Sequence, residues 1–168
     1  INGVCLTVTK FESRLSDVVG QVFFDVIDET LDVTNLKFIK QGDQVNFERS
    51  VTFGTEIGGH IVSGHIHATA ILEKVERSPD NVKMTLTIDP QWMKYILHKG
   101  FVGINGCSLT VGDVSSDSFA LHLIPETLQI TNLGNYEEGD QLNIEVDQQT
   151  YSTVETVERY LKQHYTKV

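Results

Sequence analysis

The stretch that decides the fold is residues 1–8, INGVCLTV, because it returns in the same chain at residues 104–111 as INGCSLTV. The offset between these copies is 103 residues. Two further segments recur in the same order at an offset of 97: ETLDVTNL at 29–36 as ETLQITNL at 126–133, and GDQVNFE at 42–48 as GDQLNIE at 139–145. Three ordered matches indicate an internal duplication. The chain is therefore predicted to hold two copies of one module.

The two copies differ in length at two places. The offset falls because the first copy carries a longer loop at residues 11–20. The second copy also has a front half, roughly residues 60–103, for which the first copy has no counterpart. We therefore expect about forty residues ahead of Ile1 in the complete protein, which would then hold two domains of about 100 residues each.

Apolar and polar residues alternate with a period of two along much of the chain, which predicts half-buried strands. The clearest runs are 82–89, 119–124, 45–47 and 142–146. Turns rich in Gly, Asn and Asp separate them about every ten residues, a spacing typical of a small barrel or sandwich. The fold class predicted from these patterns is all-β.

Two helices interrupt the strands. The first follows Asp89-Pro90, an N-cap and a first-turn proline, and is closed by Gly100; its apolar stripe is Trp92, Met93, Ile96 and Leu97. The second is predicted to begin at the capping box Ser152–Glu155 and to carry one apolar stripe. That stripe either packs on its own barrel or forms a contact between subunits.

The composition excludes several classes of protein. The formal net charge is −10, and no run of Lys or Arg is present, so the sequence does not indicate a nucleic-acid binder. No apolar run approaches the length of a membrane span. The two cysteines, Cys5 and Cys107, do not make a disulfide framework. These features together favour a reducing, cytoplasmic setting without a membrane partner.

Three histidines lie close together in the sequence, at positions 60, 65 and 67. In a strand-like segment 64–67, His65 and His67 would share a face, and paired histidines are possible zinc ligands. No Cys or carboxylate accompanies them at ligand spacing, so a structural or hydrogen-bonding role is the better interpretation of each, and no metal is predicted.

Polar residues at matching positions of the two copies are the candidates for a pocket. Ser108 and Thr110 follow the Asn105-Gly106 turn, and their counterparts are Cys5 and Thr7. Taken singly, Cys5 fits a small buried residue and the hydroxyls fit turn caps. Asp147 ends the strand 142–146 on the side of Asn143 and Glu145, which is expected to lie opposite the core, so it fits a surface carboxylate. Lys99 fits a favourable charge at a helix C-terminus. Because the polar pair at Cys5 and Thr7 recurs as Ser108 and Thr110, the sequence favours two similar pockets.

Four motifs closely resemble the alpha-chain type of riboflavin synthase, over essentially all 168 residues. They are NGVCLTV at residues 2–8, GGHIVSGHI at 58–66, MKYILHKG at 93–100 and LIPETL at 123–128. The resemblance implies two six-stranded antiparallel Greek-key barrels, the first incomplete at its N-terminal side here, plus a C-terminal α-helix. It also implies a homotrimer with active sites between subunits. The corresponding domains are residues 1–60, 61–150 and, for the trimerisation helix, 151–168.

The implied reaction is a dismutation of two molecules of 6,7-dimethyl-8-ribityllumazine. One molecule donates a four-carbon unit to the other, giving riboflavin and 5-amino-6-ribitylaminouracil, the last step of riboflavin biosynthesis, with no cofactor. The alternative is a non-catalytic lumazine- or flavin-binding antenna protein of the same fold. Such proteins tend to have lost polar residues of the second pocket, whereas this chain keeps them, which favours the enzyme.

The resemblance also assigns residues to the site. Ser108 and Asp147 match the proposed base, a serine hydroxyl oriented by a carboxylate, and Cys5 and His65 match residues implicated in activating the acceptor. The first pocket is assigned to Cys5, Leu6, Thr7, Asp25, Val26, Ile27, Asp28, Glu29 and Thr30. The second pocket is assigned to Gly64, His65, Ile66, Lys99, Ser108, Leu109, Thr110, Leu123, Ile124, Pro125, Glu126, Thr127 and Leu128.

Overall fold

The structure is a computed structural model that describes residues 1–13 and 19–165. Most of the longer first-copy loop, residues 14–18, and the last three residues of the predicted C-terminal helix lie outside the described residues. The strands are β1 (Val8–Ser13), β2 (Gly20–Phe24), β3 (Ala68–Ser78), β4 (Asn81–Thr87), β5 (Phe101–Ile104), β6 (Cys107–Val114), β7 (Ser118–Leu123) and β8 (Gln141–Val146). The α-helices are α1 (Asp28–Val33), α2 (Pro125–Ile130) and α3 (Gln148–Tyr165).

The second module is a closed six-stranded barrel in the order β3-β4-β7-β6-β5-β8, with every pair antiparallel. The predicted alternation is confirmed in β4, where Val82, Met84 and Leu86 are buried while the residues between them are half-buried. Their side chains meet Phe119 and Leu121 of β7 in one apolar core. Closing the sheet removes the exposed edges that an open sheet would carry.

The first module contributes the antiparallel pair β1–β2 and helix α1. The strand predicted at residues 45–47 is not formed in the described structure. Its counterpart β8 lies between β3 and β5 of the closed barrel. In the described structure residues 45–47 pair with no strand, and Phe47 is exposed.

The duplication extends to the backbone angles. Ile27 precedes α1 with φ −81° and ψ 158°, and Ile124 precedes α2 with φ −82° and ψ 157°. Thr34 and Thr131, which end these helices, share φ −126°. The left-handed φ of 47° at Asn2 and Asn105 is also the same. Matching turns therefore place matching side chains, as the repeated sequence predicts.

A network of six asparagines, three from each module, joins the two copies: Asn2, Asn35, Asn105, Asn132 and Asn143, which are buried, and Asn46, which is half-buried. The Asn35 N–H donates to Oδ1 of Asn143 at 2.6 Å, and the Asn132 N–H donates to Oδ1 of Asn46 at 2.6 Å. Each bond crosses from one module to the other. The network has a pseudo-twofold axis, and it holds the two candidate pockets in a fixed relation.

The polar side of β8 was predicted to lie opposite the core, but Asn143 and Glu145 are 0% and 3% exposed. The first module and the segment leading into β3 cover that side, which makes it a second buried face. Segment 64–67, predicted as strand-like, lies just before β3 and outside any strand. A period-two pattern assigns a side to each residue but does not show what covers that side.

Both predicted helices are present with different bounds. The first is a 3-10 helix over Pro90–Tyr95, capped by the Asp89 side chain, which accepts the Gln91 N–H at 3.0 Å. The residue with a positive φ after this 3-10 helix is Lys99, and not Gly100, which was predicted to close the helix. Helix α3 begins four residues before the predicted capping box, because Asp147 caps it by accepting the Thr150 N–H at 2.9 Å. Among the described helices, none is long and apolar enough to cross a membrane.

Candidate functional site

Segment 59–64 runs between the matching positions Cys5 and Ser108. At one end, the Gly64 carbonyl accepts the Cys5 N–H at 3.0 Å, and a Cβ added to Gly64 would lie 2.5 Å from the Cys5 Cβ. At the other end, a Cβ on Gly59 would overlap the Ser108 hydroxyl. Both glycines have left-handed φ angles, of 87° and 80°. Only glycine allows this approach, so the segment connects the two predicted pocket positions.

Ser108 has His60 as its partner. The His60 backbone N–H donates to the Ser108 Oγ at 3.1 Å, and the ring Nδ1 lies 2.6 Å from the same oxygen. The ring stacks on Phe101 with centroids 5.3 Å apart and planes 15° from parallel. Burial lowers the pKa of His60, against the opposing charges of Asp147 and Glu145. The imidazole is therefore neutral near pH 7 and able to accept a hydrogen bond.

Asp147 lies at the junction of β8 and α3. One carboxylate oxygen accepts from the Thr150 N–H at 2.9 Å and from the Thr150 hydroxyl at 2.7 Å. Burial would raise the pKa of Asp147, but these hydrogen bonds and the nearby His60 bring the pKa below its ordinary value. Within the described residues, a direct hydrogen bond from Ser108 to Asp147 is not formed. The Ser108 hydroxyl instead contacts His60, and the charge of Asp147 opposes the lowering of the pKa of His60.

Glu145 is a site residue that sequence reasoning missed. Its carboxylate accepts from the Ser63 N–H at 2.6 Å, the Ser63 hydroxyl at 2.8 Å and the Gly64 N–H at 2.9 Å. Hydrogen bonds to an ionised group are among the stronger ones, so Glu145 fixes the segment between the pockets. The signal that could have found it is the repeat, since Glu48 holds the same position in the first copy.

His65 and His67 lie in different surroundings. His65 is exposed, with Nδ1 3.1 Å from the Ser63 hydroxyl. His67 packs between Trp92 and Tyr151, with ring centroids 5.6 and 5.3 Å away. Burial lowers its pKa. In residues 1–13 and 19–165, His, Cys, Asp and Glu form no group of three that could hold a metal ion.

The residues assigned to the two pockets occupy matching places, and several pairs have matching exposure, although Cys5 is exposed and Ser108 is half-buried. Thr7 and Thr110 are both exposed, and Ile27 and Ile124, just before α1 and α2, are 65% and 57% exposed. Leu123 differs, because its side chain is 1% exposed and belongs to the barrel core. A cavity of about 680 Å³ lies between matching residues of the two modules, which include Asn35 and Asn132. None of the described residues that line this cavity is among those assigned to the substrate pockets.

Comparison with known proteins agrees with the duplication of the module. A model of the lumazine binding domain family matches residues 1–50 and 63–147. The riboflavin synthase of Escherichia coli (strain K12) is 50% identical over 161 residues, covering 95% of this chain and 73% of that protein. The riboflavin synthase of Chlamydia pneumoniae is 41% identical over 161 residues, covering 96% and 76%.

Solved structures of lumazine- and riboflavin-bound proteins are also similar to this chain. The crystal structure of LumP complexed with riboflavin superposes with a TM-score of 0.72 at 32% identity, covering 86% of this chain and 75% of that one. LumP complexed with 6,7-dimethyl-8-(1'-D-ribityl) lumazine gives 0.71 at 29% identity, covering 86% and 74%. The enzymes are the more similar proteins in sequence, which does not favour the antenna alternative. The predicted resemblance is confirmed, and the chain belongs to the riboflavin synthase family.

Proposed function

We propose that this chain catalyses the dismutation of two 6,7-dimethyl-8-ribityllumazine molecules to riboflavin and 5-amino-6-ribitylaminouracil, a transferase reaction in which a four-carbon unit moves between them. The observation that carries this proposal is the repeat, which gives Cys5 in the first module and Ser108 in the second module matching positions. Two related pockets suit a reaction between two copies of one substrate. The names of the relatives support the same activity.

We further propose that each of the two modules belongs to a Greek-key barrel. The domains would be residues 1–60, residues 61–150 and a C-terminal helical unit from about residue 151. The closed second barrel and the matching backbone angles of the first module support this arrangement. The asparagine network then lies between the two barrels and sets their relative orientation.

Helix α3 supports a homotrimer. One side of the helix is held on the barrel, where Lys94 pairs with Glu155 and Glu158 at 3.1 and 2.7 Å, and where Val154 packs against the core. A second stripe is left exposed, formed by Val157, Tyr160, Leu161 and Tyr165. The apolar surface of α3 therefore has one part covered by its own barrel and another part available to α3 of other subunits. In such a trimer, each site would combine the first module of one subunit with the second module of a neighbour.

Catalysis by this site would rest first on holding two flat heterocycles face to face. Orientation of two reactants lowers a barrier by about 7–11 kcal/mol in favourable cases. The segments after β2 and β7, Asp25–Thr30 and Leu123–Leu128, would flank the two pockets, with Leu6, Thr7, Leu109, Thr110 and Lys99 completing them. Gly64, His65 and Ile66 would hold a lumazine ring in the second pocket.

The chemical step requires removal of a proton from the 7-methyl group of one lumazine, which the conjugated imine makes acidic. Ser108 and Asp147 would take part in that removal. Cys5 and His65 would assist activation of the acceptor. The carbanion then attacks the second lumazine, and the four-carbon unit is transferred within the closed pair.

The purified protein, mixed with 6,7-dimethyl-8-ribityllumazine alone, is expected to form riboflavin, seen as growth of flavin fluorescence. Ser108→Ala and Asp147→Asn should keep folding and ligand binding but lose most turnover, and asparagine should still cap α3. Ser116→Ala, an exposed serine in the turn between β6 and β7, is the matched control. Tight lumazine binding without flavin formation in the unsubstituted protein would favour an antenna protein instead.

A further inference from the structure

The hydrogen bonds of Ser108 define where its hydroxyl proton lies. A hydroxyl has one hydrogen and two acceptor sites. The His60 N–H uses an acceptor site at 3.1 Å, and Nδ1 of the same residue lies 2.6 Å away. Within the described residues, Nδ1 is the one acceptor within reach of the Ser108 hydrogen. If the hydrogen lay on Nδ1 instead, the oxygen would accept twice and its own hydrogen would have no acceptor there.

We propose that His60, whose Nδ1 lies 2.6 Å from the Ser108 Oγ, is the group that receives the proton of Ser108. His60 is then a positioning residue that works through Ser108. This inference rests on the proposed function, because it assigns the partner of the serine in that same site.

The proton transfers balance within these groups. The 7-methyl C–H bond breaks and leaves its electron pair on the lumazine carbon. The proton forms an O–H bond on Ser108, and the hydrogen that Ser108 carried forms an N–H bond on Nδ1 of His60. The resulting imidazolium lies in the field of Asp147 and Glu145, whose charges favour the protonated ring. The same path in reverse returns the proton to the substrate-derived carbon or nitrogen later in the reaction.

The surroundings of His60 keep its ring in place for this role. The parallel stack on Phe101 fixes the plane of the imidazole. The left-handed Gly59 brings the chain so close to Ser108 that a side chain at 59 would overlap the hydroxyl. In the described structure, Nε2 is buried without a hydrogen-bond partner. In the tautomer that accepts from Ser108, Nε2 carries the hydrogen.

The test compares His60→Asn with the unsubstituted protein, because the Asn Oδ1 can occupy the place of Nδ1 and accept a hydrogen bond but cannot hold a proton. We expect kcat to fall by about 10²-fold or more, with riboflavin affinity changed less than about threefold. The acidic limb of the kcat profile should disappear, since it reports protonation of His60. His122→Asn, an exposed histidine on β7, is the control and should behave as wild type.

A second variant separates chemistry from folding. His60→Ala should regain turnover on addition of imidazole, with the regained rate following the neutral form of imidazole as pH changes. Wild-type turnover in His60→Asn with its acidic limb intact would overturn the inference, and so would parallel loss of riboflavin binding with no rescue by imidazole. If the unsubstituted protein forms no riboflavin, the proposed function itself is wrong, which is a different result from these.

Discussion

Loss of one asparagine from the network between the modules should destabilise the protein strongly, although none of the six is a hydrophobic core residue. Asn132 is 6% exposed, and its Nδ2 donates to Oδ1 of Asn2 at 3.1 Å and to the Gln44 carbonyl at 3.2 Å. A third contact reaches the Tyr136 hydroxyl at 3.4 Å. Asn35 makes the matching set in the other module.

The magnitude follows from these contacts. Each lost hydrogen bond contributes about 0.5–1.5 kcal/mol net, and a buried acceptor left without its donor costs about 1–3 kcal/mol. Two effects reduce the loss. Oδ1 of Asn2 keeps a second donor, the Asn46 N–H, and Oδ1 of Asn132 is itself buried without a partner in the described structure. We therefore expect Asn132→Ala and Asn35→Ala each to lower the free energy of unfolding by about 2–4 kcal/mol.

The assay is urea unfolding at a fixed protein concentration, because subunit association would change the apparent stability. Asn135→Ala is the matched control, since its side chain makes an exposed bond to Gln44 at 3.2 Å; a change under about 0.5 kcal/mol is expected there. If all three variants lose the same small free energy of unfolding, the asparagine network does not hold the two modules together.

Two further predictions concern backbone and pH. Gly64→Ala and Gly54→Ala both place a side chain at a φ near 88°, so they share a backbone cost of about 1–2 kcal/mol. The new Cβ at position 64 would lie 2.5 Å from the Cys5 Cβ, whereas a Cβ at position 54 has no described atom within 4 Å. Gly64→Ala should therefore lose more stability and also weaken lumazine binding, and equal effects would contradict the contact. Burial lowers the pKa of His67, so the unfolded chain takes up its proton first as the pH falls below about 6.5. Thermal unfolding between pH 7.5 and 5 should show falling stability, less so in His67→Phe, whereas His122→Gln should keep the wild-type slope.

Much of the fold follows from the sequence because a repeat needs no tertiary information to be seen. The matches at offsets 103 and 97 give the matching positions Cys5 and Ser108, and the structure places both beside one segment. Alternation predicts β4 and β7 because their inner residues pack in one core. It fails at residues 45–47, where the pattern is present but no strand of the described structure pairs with these residues.

The sequence by itself determined the duplication, the strand-rich class and the family, since these depend on residue order and on local alternation. Only the tertiary structure decided the partners: His60 for Ser108, 48 residues away, and Ser63 for Glu145, 82 residues away. The physical reason is that a strand pattern fixes the side a residue faces, while the chain covering that side comes from distant positions. The side of β8 read as polar surface is therefore the buried face that joins the two modules.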